Sequence, residues 1–240
     1  MINIERVYKS YGKQRVLSDV NLDFAAGQSV ALIGPNGSGK TTLIKIILGM
    51  VIPDAGEVRV KDASISGHCR YRKDIGYMPQ ISRFPDQMSV DQLFDLMKSI
   101  RGDVSPQQYD LRLYEAFEIG GWARKKLGTL SGGMRQKVSA ALAFLFDPEI
   151  LILDEPTAAL DPVSNEIFKE KLKAAIDAEK LVLVTSHILN ELDEITTHVA
   201  YLMEGKVRFY KSLEDLKSET SESRLNRIVA RLIKKEEEYV

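Results

Sequence analysis

A chain of 240 residues is long enough to bury the core of one large α/β domain, or of a core domain that carries an insertion. Its 33 Lys and Arg nearly cancel its 34 Asp and Glu, so the overall charge points to no nucleic-acid partner and leaves only local basic patches open. The single cysteine, Cys69, excludes an internal disulfide and a multi-cysteine zinc site and suits a reducing compartment.

From Met1 the chain enters an alternating polar and apolar pattern without the apolar h-region of an export signal, which predicts a cytoplasmic protein. Residues Ile2 to Phe24 alternate in two runs around a turn at Gly12, with Val20, Leu22 and Phe24 on one face, and predict antiparallel β structure. Tyr11 stands at that turn, and taken alone it reads first as a packing residue and second as a ligand contact.

Ser29–Ile33 is short and wholly apolar after its first residue, as a buried parallel strand should be, and Leu43–Leu48 carries apolar residues at helical spacing before stopping at Gly49. Between them lies Gly34-Pro35-Asn36-Gly37-Ser38-Gly39-Lys40-Thr41, which fits the phosphate-loop pattern and sits between the strand and helix that pattern requires. The residue types follow from the task. A phosphate chain needs several backbone N–H donors pointing inward, and positions without a side chain allow the backbone to curl that closely. The opening turn of the next helix adds unpaired N–H groups and a partial positive charge. Lys40 then reaches the β- and γ-phosphates, the Thr41 hydroxyl offers an oxygen to Mg²⁺, and Thr42 extends the nucleotide-contacting run.

Past the loop, Pro53-Asp54-Ala55-Gly56 signals a turn and Glu57–Val60 a strand, while Asp74–Gln80 reads as a strand that ends at a proline. Gln80 alone is no more than a solvated loop amide. From Ser89 to Phe146 the pattern turns helical, with Val90, Leu93, Phe94 and Met97 spaced for one face and Leu113, Ala116 and Phe117 for another. Ser131-Gly132-Gly133 opens one of these helices, and its local chemistry fits a plain capped helix and a second phosphate-accepting turn equally well. Ile150–Leu153 is a continuous apolar run that ends in Asp154-Glu155, two carboxylates at the strand edge where open α/β sheets bind ligands. Asp154 can hold Mg²⁺ while Glu155 orients and deprotonates a water. Asp161-Pro162 predicts a capped helix to about Ala178, Leu181–Thr185 repeats the buried-strand pattern and delivers His187, and a hairpin about Glu204-Gly205 closes the core. Ser212–Asp215 has the look of a capping box, and Leu225, Ile228, Val229, Leu232 and Ile233 form the stripe of an amphipathic terminal helix.

Taken in order, the phosphate loop, Leu130-Ser131-Gly132-Gly133 and Leu153-Asp154-Glu155-Pro156 resemble the ATP-binding-cassette ATPases, the nucleotide-binding subunits of ABC transporters, over about residues 2 to 210. The resemblance implies an α/β phosphate-loop NTPase core with a mostly parallel sheet, an antiparallel β subdomain and an α-helical subdomain inserted over about residues 81–146. Residues 211–240 would form the helical tail. It implies a head-to-tail dimer in which ATP on the loop of one copy is covered by Ser131, Gly132 and Gly133 of the other. Tyr11 would stack on adenine and Gln80 would sit near Mg²⁺ and the attacking water. Asp161 would cross the dimer interface, His187 would contact the γ-phosphate, and Glu155 would be the general base. Met134 stands where the family usually has Gln, and Ala158 where many members have Ser.

The expected partners are a second copy and a separately encoded polytopic membrane subunit, which the chain would serve from the cytoplasmic face. The short tail resembles the exporter-type branch. A soluble ABC ATPase of translation or DNA repair is the alternative, weakened by the lack of a second cassette or sustained heptads.

Overall fold

The alternation over the first residues becomes two long strands, β1 (Ile2–Tyr11) and β2 (Gln14–Phe24), joined by the Gly12-Lys13 turn and paired antiparallel from Ile2↔Phe24 to Tyr11↔Gln14. The computed structural model describes residues 1–102, 105, 108–186 and 192–237, the last five of these as backbone alone. It divides into two units, Met1–Cys69 with Leu183–Val240, and Arg70–Val182.

In the first unit, β4 (Ala55–Val60) and β5 (Ala63–Ser64) complete a four-stranded antiparallel sheet in the order β2-β1-β4-β5. Ile2, Ile4, Val7, Val20, Leu22, Phe24, Val58 and Val60 are all buried, so alternate residues of these strands supply one apolar face. The second sheet of this unit begins with β3 (Ser29–Ile33), every residue of which is buried, as the unbroken apolar run predicts for a strand covered on both faces. β3 runs parallel to β9 (His198–Met203), which turns back antiparallel into β10 (Lys206–Ser212). On its other side β3 neighbours β8 (Leu181–Thr185).

Helix α1 (Lys40–Ile47) follows β3 and buries Leu43, Ile44, Ile46 and Ile47. Beyond β10, α6 (Leu213–Thr220) is capped by Ser212, whose hydroxyl accepts from the Asp215 N–H at 3.0 Å and donates to the Asp215 carboxylate at 2.7 Å. The predicted box is therefore half formed, because that carboxylate takes the hydroxyl rather than the Ser212 backbone N–H. In α7 (Leu225–Glu237), Leu225, Ile228 and Val229 are buried, so the first turns of the terminal stripe pack within the chain.

In the second unit, β6 (Ile75–Met78) and β7 (Ile150–Asp154) are parallel neighbours in register from Ile75↔Ile150 to Met78↔Leu153. The helices are α2 (Val90–Arg101), α3 (Arg112–Ala116), α4 (Gly132–Phe144) and α5 (Pro162–Asp177). A full capping box opens α2, with the Ser89 and Gln92 side chains each bonded to the other's backbone N–H. Ala116 is exposed, contrary to the face its spacing suggests, because α3 ends there and the chain turns through Glu118 at a φ of 52°. Gly76 is where β6 meets α4, and a Cβ there would lie 2.0 Å from the Ala143 carbonyl oxygen.

A buried charge cluster ties α5 into this unit. Asp110 accepts from Arg112 at 2.9 and 2.7 Å and from the ammonium of Lys171, with the Asp110 and Lys171 side chains only 3% and 7% exposed. Burial alone raises the Asp110 pKa, but donation by Arg112 and Lys171 outweighs it and holds the carboxyl at about 2. A carboxyl depressed in the folded state contributes stability above its ordinary value of 3.8 and loses it as pH falls towards about 2. Asp110→Asn leaves Lys171 buried without its counter-charge and is expected to cost about 3–5 kcal/mol. Urea unfolding at neutral pH measures that loss, and the variant's stability should fall less steeply than the parent's over the acid range.

Candidate functional site

In the first unit the phosphate loop leaves the end of β3 beside β9. Gly34 has a φ of 151°, and a Cβ on it would meet the Leu202 carbonyl oxygen at 2.0 Å, so no side chain fits. Gly205 donates its N–H to the Ser38 carbonyl at 3.1 Å, and Ser38 donates to Pro35 at 3.2 Å, which closes the turn. The Ser38 hydroxyl is buried with no hydrogen-bond partner among the described residues. Lys40 folds back across the loop and donates to the Gly34 and Pro35 carbonyls at 2.8 and 3.0 Å.

α1 begins at Gly39, with a φ of 106° and no side-chain cap, so no side chain competes for the N–H groups of its first turn. Pro35, Asn36, Gly37 and Thr41 are exposed and Thr42 is half-buried, giving the loop an open mouth. The backbone donors of the loop and the Lys40 ammonium suit a phosphate chain. Tyr11 is 49% exposed, with the Lys9 ammonium 5.6 Å from its ring centroid, so the ring stands at the surface rather than in the core.

The second unit carries the other candidates. Because Met78 and Leu153 are partners in parallel strands, Pro79-Gln80 and Asp154-Glu155 leave from the same edge of that pair. Asp154 is buried at the end of β7, whereas Gln80 is exposed. Glu155 takes a left-handed conformation with a φ of 52°, which ends the strand and sends consecutive carboxylates in different directions. Burial pushes the Tyr77 phenol pKa up, and the charge of Asp154 adds to that.

Ser131 caps α4, its hydroxyl accepting from the Met134 N–H at 3.2 Å. Position 134 thus supports the turn through its backbone, and the missing glutamine side chain is not needed for that bond. Gly132 and Gly133 form the first turn, where a Cβ on Gly133 would stand 3.0 Å from the Ala159 carbonyl oxygen. Asp161 caps α5, accepting from the Ser164 N–H at 2.9 Å, the Ser164 hydroxyl at 2.7 Å and Lys137 at 3.0 Å. These donors, the Ser164 backbone first, hold its carboxyl well below the usual carboxylate range. His187 lies outside the described residues.

Two residues of α4 stand in this region without having been singled out from sequence, Gln136 and Lys137. Gln136 is 4% exposed, and its amide donates to the carbonyls of Glu155 at 3.3 Å and Pro156 at 2.9 Å. A signal was present, since Gln136, Ala140 and Ala143 fall on one buried stripe where a glutamine is out of place. The donors predicted for a metal are a hydroxyl (Thr41), an amide (Gln80) and one carboxylate (Asp154). Such a set of oxygens suits Mg²⁺, which takes one or two protein carboxylates and completes its shell with phosphate and water.

A family model described as ABC transporter matches residues 17–158. The chain belongs to the ABC transporter family. Among curated relatives, Nod factor export ATP-binding protein I of Ralstonia nicotianae is 30% identical over 209 residues, covering 86% of this chain and 65% of its own length. The protein of that name from Rhizobium sp. strain N33 is 30% identical over 213 residues, covering 85% and 68%. This ABC ATPase therefore spans about two thirds of the length of these relatives.

A solved ATP-binding subunit of an ABC transporter superposes with a TM-score of 0.90 at 27% identity, covering 97% of this chain and 99% of that one. A dimeric ATP-binding cassette in a post-hydrolysis state with ADP and Pi superposes at 0.74 with 28% identity, covering 89% and 99%. The architecture of this ABC ATPase is accordingly the phosphate-loop α/β fold with parallel and antiparallel sheets and added helices.

Proposed function

We propose that this ABC ATPase hydrolyses ATP in a head-to-tail dimer and so drives a separately encoded polytopic membrane subunit of the exporter type. One observation carries the reading: two glycine-rich turns open helices, the loop at Gly34–Thr41 before α1 and the Ser131-capped turn of α4, and if both accept phosphate a single nucleotide on a single chain has no use for both. In the dimer each nucleotide takes one turn from each copy.

Gly34 to Gly39 cradle the phosphates, Lys40 trades its loop carbonyls for charge-assisted bonds to the β- and γ-phosphates, and Thr42 extends the contact. Tyr11 stacks on adenine. Thr41, Gln80 and Asp154 are the residues that would hold Mg²⁺, which would neutralise phosphate charge. Glu155 takes a proton from the water whose oxygen bonds to the γ-phosphorus as the bond to the bridging oxygen of ADP breaks. His187 contacts the γ-phosphate, and Asp161 lies at the dimer interface with Ser131, Gly132 and Gly133.

Among the described residues no helix is long and apolar enough to cross a membrane. The membrane subunit would be met at the cytoplasmic face. Ile81, Leu96 and Ile100 in the helical insertion are 66%, 40% and 71% exposed, an apolar surface suited to receiving that partner. The relatives whose names describe export favour the outward direction.

Mixing two inactive variants tests the shared site. Ser131→Arg fills the space where the partner's γ-phosphate docks, and Lys40→Ala disables the loop. A mixed dimer keeps one complete site, so activity should return to a fraction of the parental rate. No recovery, with mixed dimers present by cross-linking, would contradict the arrangement.

A further inference from the structure

The loop from Glu155 to Asp161 is met by α4 at three points. Gln136 donates to the carbonyls of Glu155 at 3.3 Å and Pro156 at 2.9 Å, the Gly133 backbone comes so close to Ala159 that a Cβ would stand 3.0 Å from its carbonyl, and Lys137 pairs with Asp161 at 3.0 Å. The first contact falls on a residue in an uncommon conformation. Glu155 has a φ of 52°, a region that a residue with a side chain occupies only where its surroundings hold it there. Gln136 is buried, and the two carbonyls it bridges are the ones that flank the turn out of β7. An amide aimed at successive carbonyls fixes the orientation of both peptide planes, and the first of them, between Glu155 and Pro156, flanks the Glu155 Cα and so helps set where its side chain leaves the backbone.

We propose that Gln136 is a positioning residue for hydrolysis, holding the Glu155 backbone in its left-handed turn so that the carboxylate meets the attacking water. The proposal rests on the reading of Glu155 as the general base. Gln136 acts through Glu155 and touches neither nucleotide nor water. A base displaced by about 1 Å can lose on the order of a hundredfold in rate while nucleotide binding, which belongs to the glycine loop, is unaffected.

The experiment uses the full chain with Mg²⁺ and ATP. Gln136→Met keeps length and volume and removes both donors. It should lower kcat roughly tenfold to a hundredfold per nucleotide-binding molecule, with KM and ATP affinity within about twofold of the parent. If the variant's only defects were a lower melting temperature and a smaller folded fraction, with parental kcat per folded molecule, Gln136 would be structural and the proposal overturned.

Gln136→Glu is the second variant, for use whether or not the first folds. Facing two carbonyls in a buried site, the new carboxyl is pushed up in pKa, and once protonated it restores one of the two bonds. Its activity relative to the parent should therefore climb as pH falls from about 8 to about 6, a window set by the raised pKa of a buried acid. A ratio that does not change with pH would overturn the role. Glu155→Gln, run alongside, separates the two ideas. Full activity in that variant removes the base assignment, whereas full activity in Gln136→Met beside an inactive Glu155→Gln removes the positioning role alone.

Discussion

Glu155→Gln should bind ATP with near-parental affinity and turn it over about a thousandfold more slowly, since the amide keeps the shape and the hydrogen bond to water but cannot accept the proton. The side chain is half-buried at the end of β7, and the isosteric amide removes no donor of the glycine loop. If Glu155 is the base proposed above, removing its negative charge should also let ATP hold two copies together in a closed dimer, which the parent would dissolve by hydrolysis. Size-exclusion chromatography with and without ATP, beside phosphate release, measures both effects. Phosphate release at the parental rate would refute the assignment of the base.

Lys40→Ala is expected to weaken ATP binding by roughly tenfold to a hundredfold, the cost of one charge-assisted contact, and to abolish turnover. The Lys40 ammonium donates to the Gly34 and Pro35 carbonyls, which are half-exposed and exposed, so water can replace it. The folded state should therefore be nearly as stable as the parent's. Nucleotide titration by calorimetry and a thermal melt distinguish a lost contact from a lost fold. A variant that bound and hydrolysed ATP normally would show that the loop is not the phosphate site.

These sites were legible to different depths in the amino-acid sequence, and the difference follows from how far along the chain each interaction reaches. The Ser131 and Asp161 caps bond within three residues of themselves, so composition and spacing alone announce them. Residues of β3, β7 and β8 are buried without exception, and a strand covered on both faces writes itself as an unbroken apolar run. The Ser89–Gln92 box is equally local, and the change to helical spacing at Ser89 marks the helix start without naming the reciprocal bonds that cap it.

What could not be read depends on distant partners. Gln136 reaches residues 19 and 20 positions away, and its purpose is invisible until α4 is laid on the loop after β7. Nothing in the residues around Glu155 announces a positive φ. Tyr11 taken alone reads first as a packing residue, and only the folded chain shows it 49% exposed, with Lys9 two residues back supplying the cation over its face.

The wall of the phosphate loop comes from far downstream: the Leu202 carbonyl is what forbids a side chain at Gly34, and Gly205 is what holds Ser38. The glycines of the loop are made early, but the surface that shapes them is made after the ribosome has passed residue 205. The most recognisable motif of this protein therefore takes its shape from residues far along the chain, and the loop is complete only with the β9–β10 hairpin beside β3.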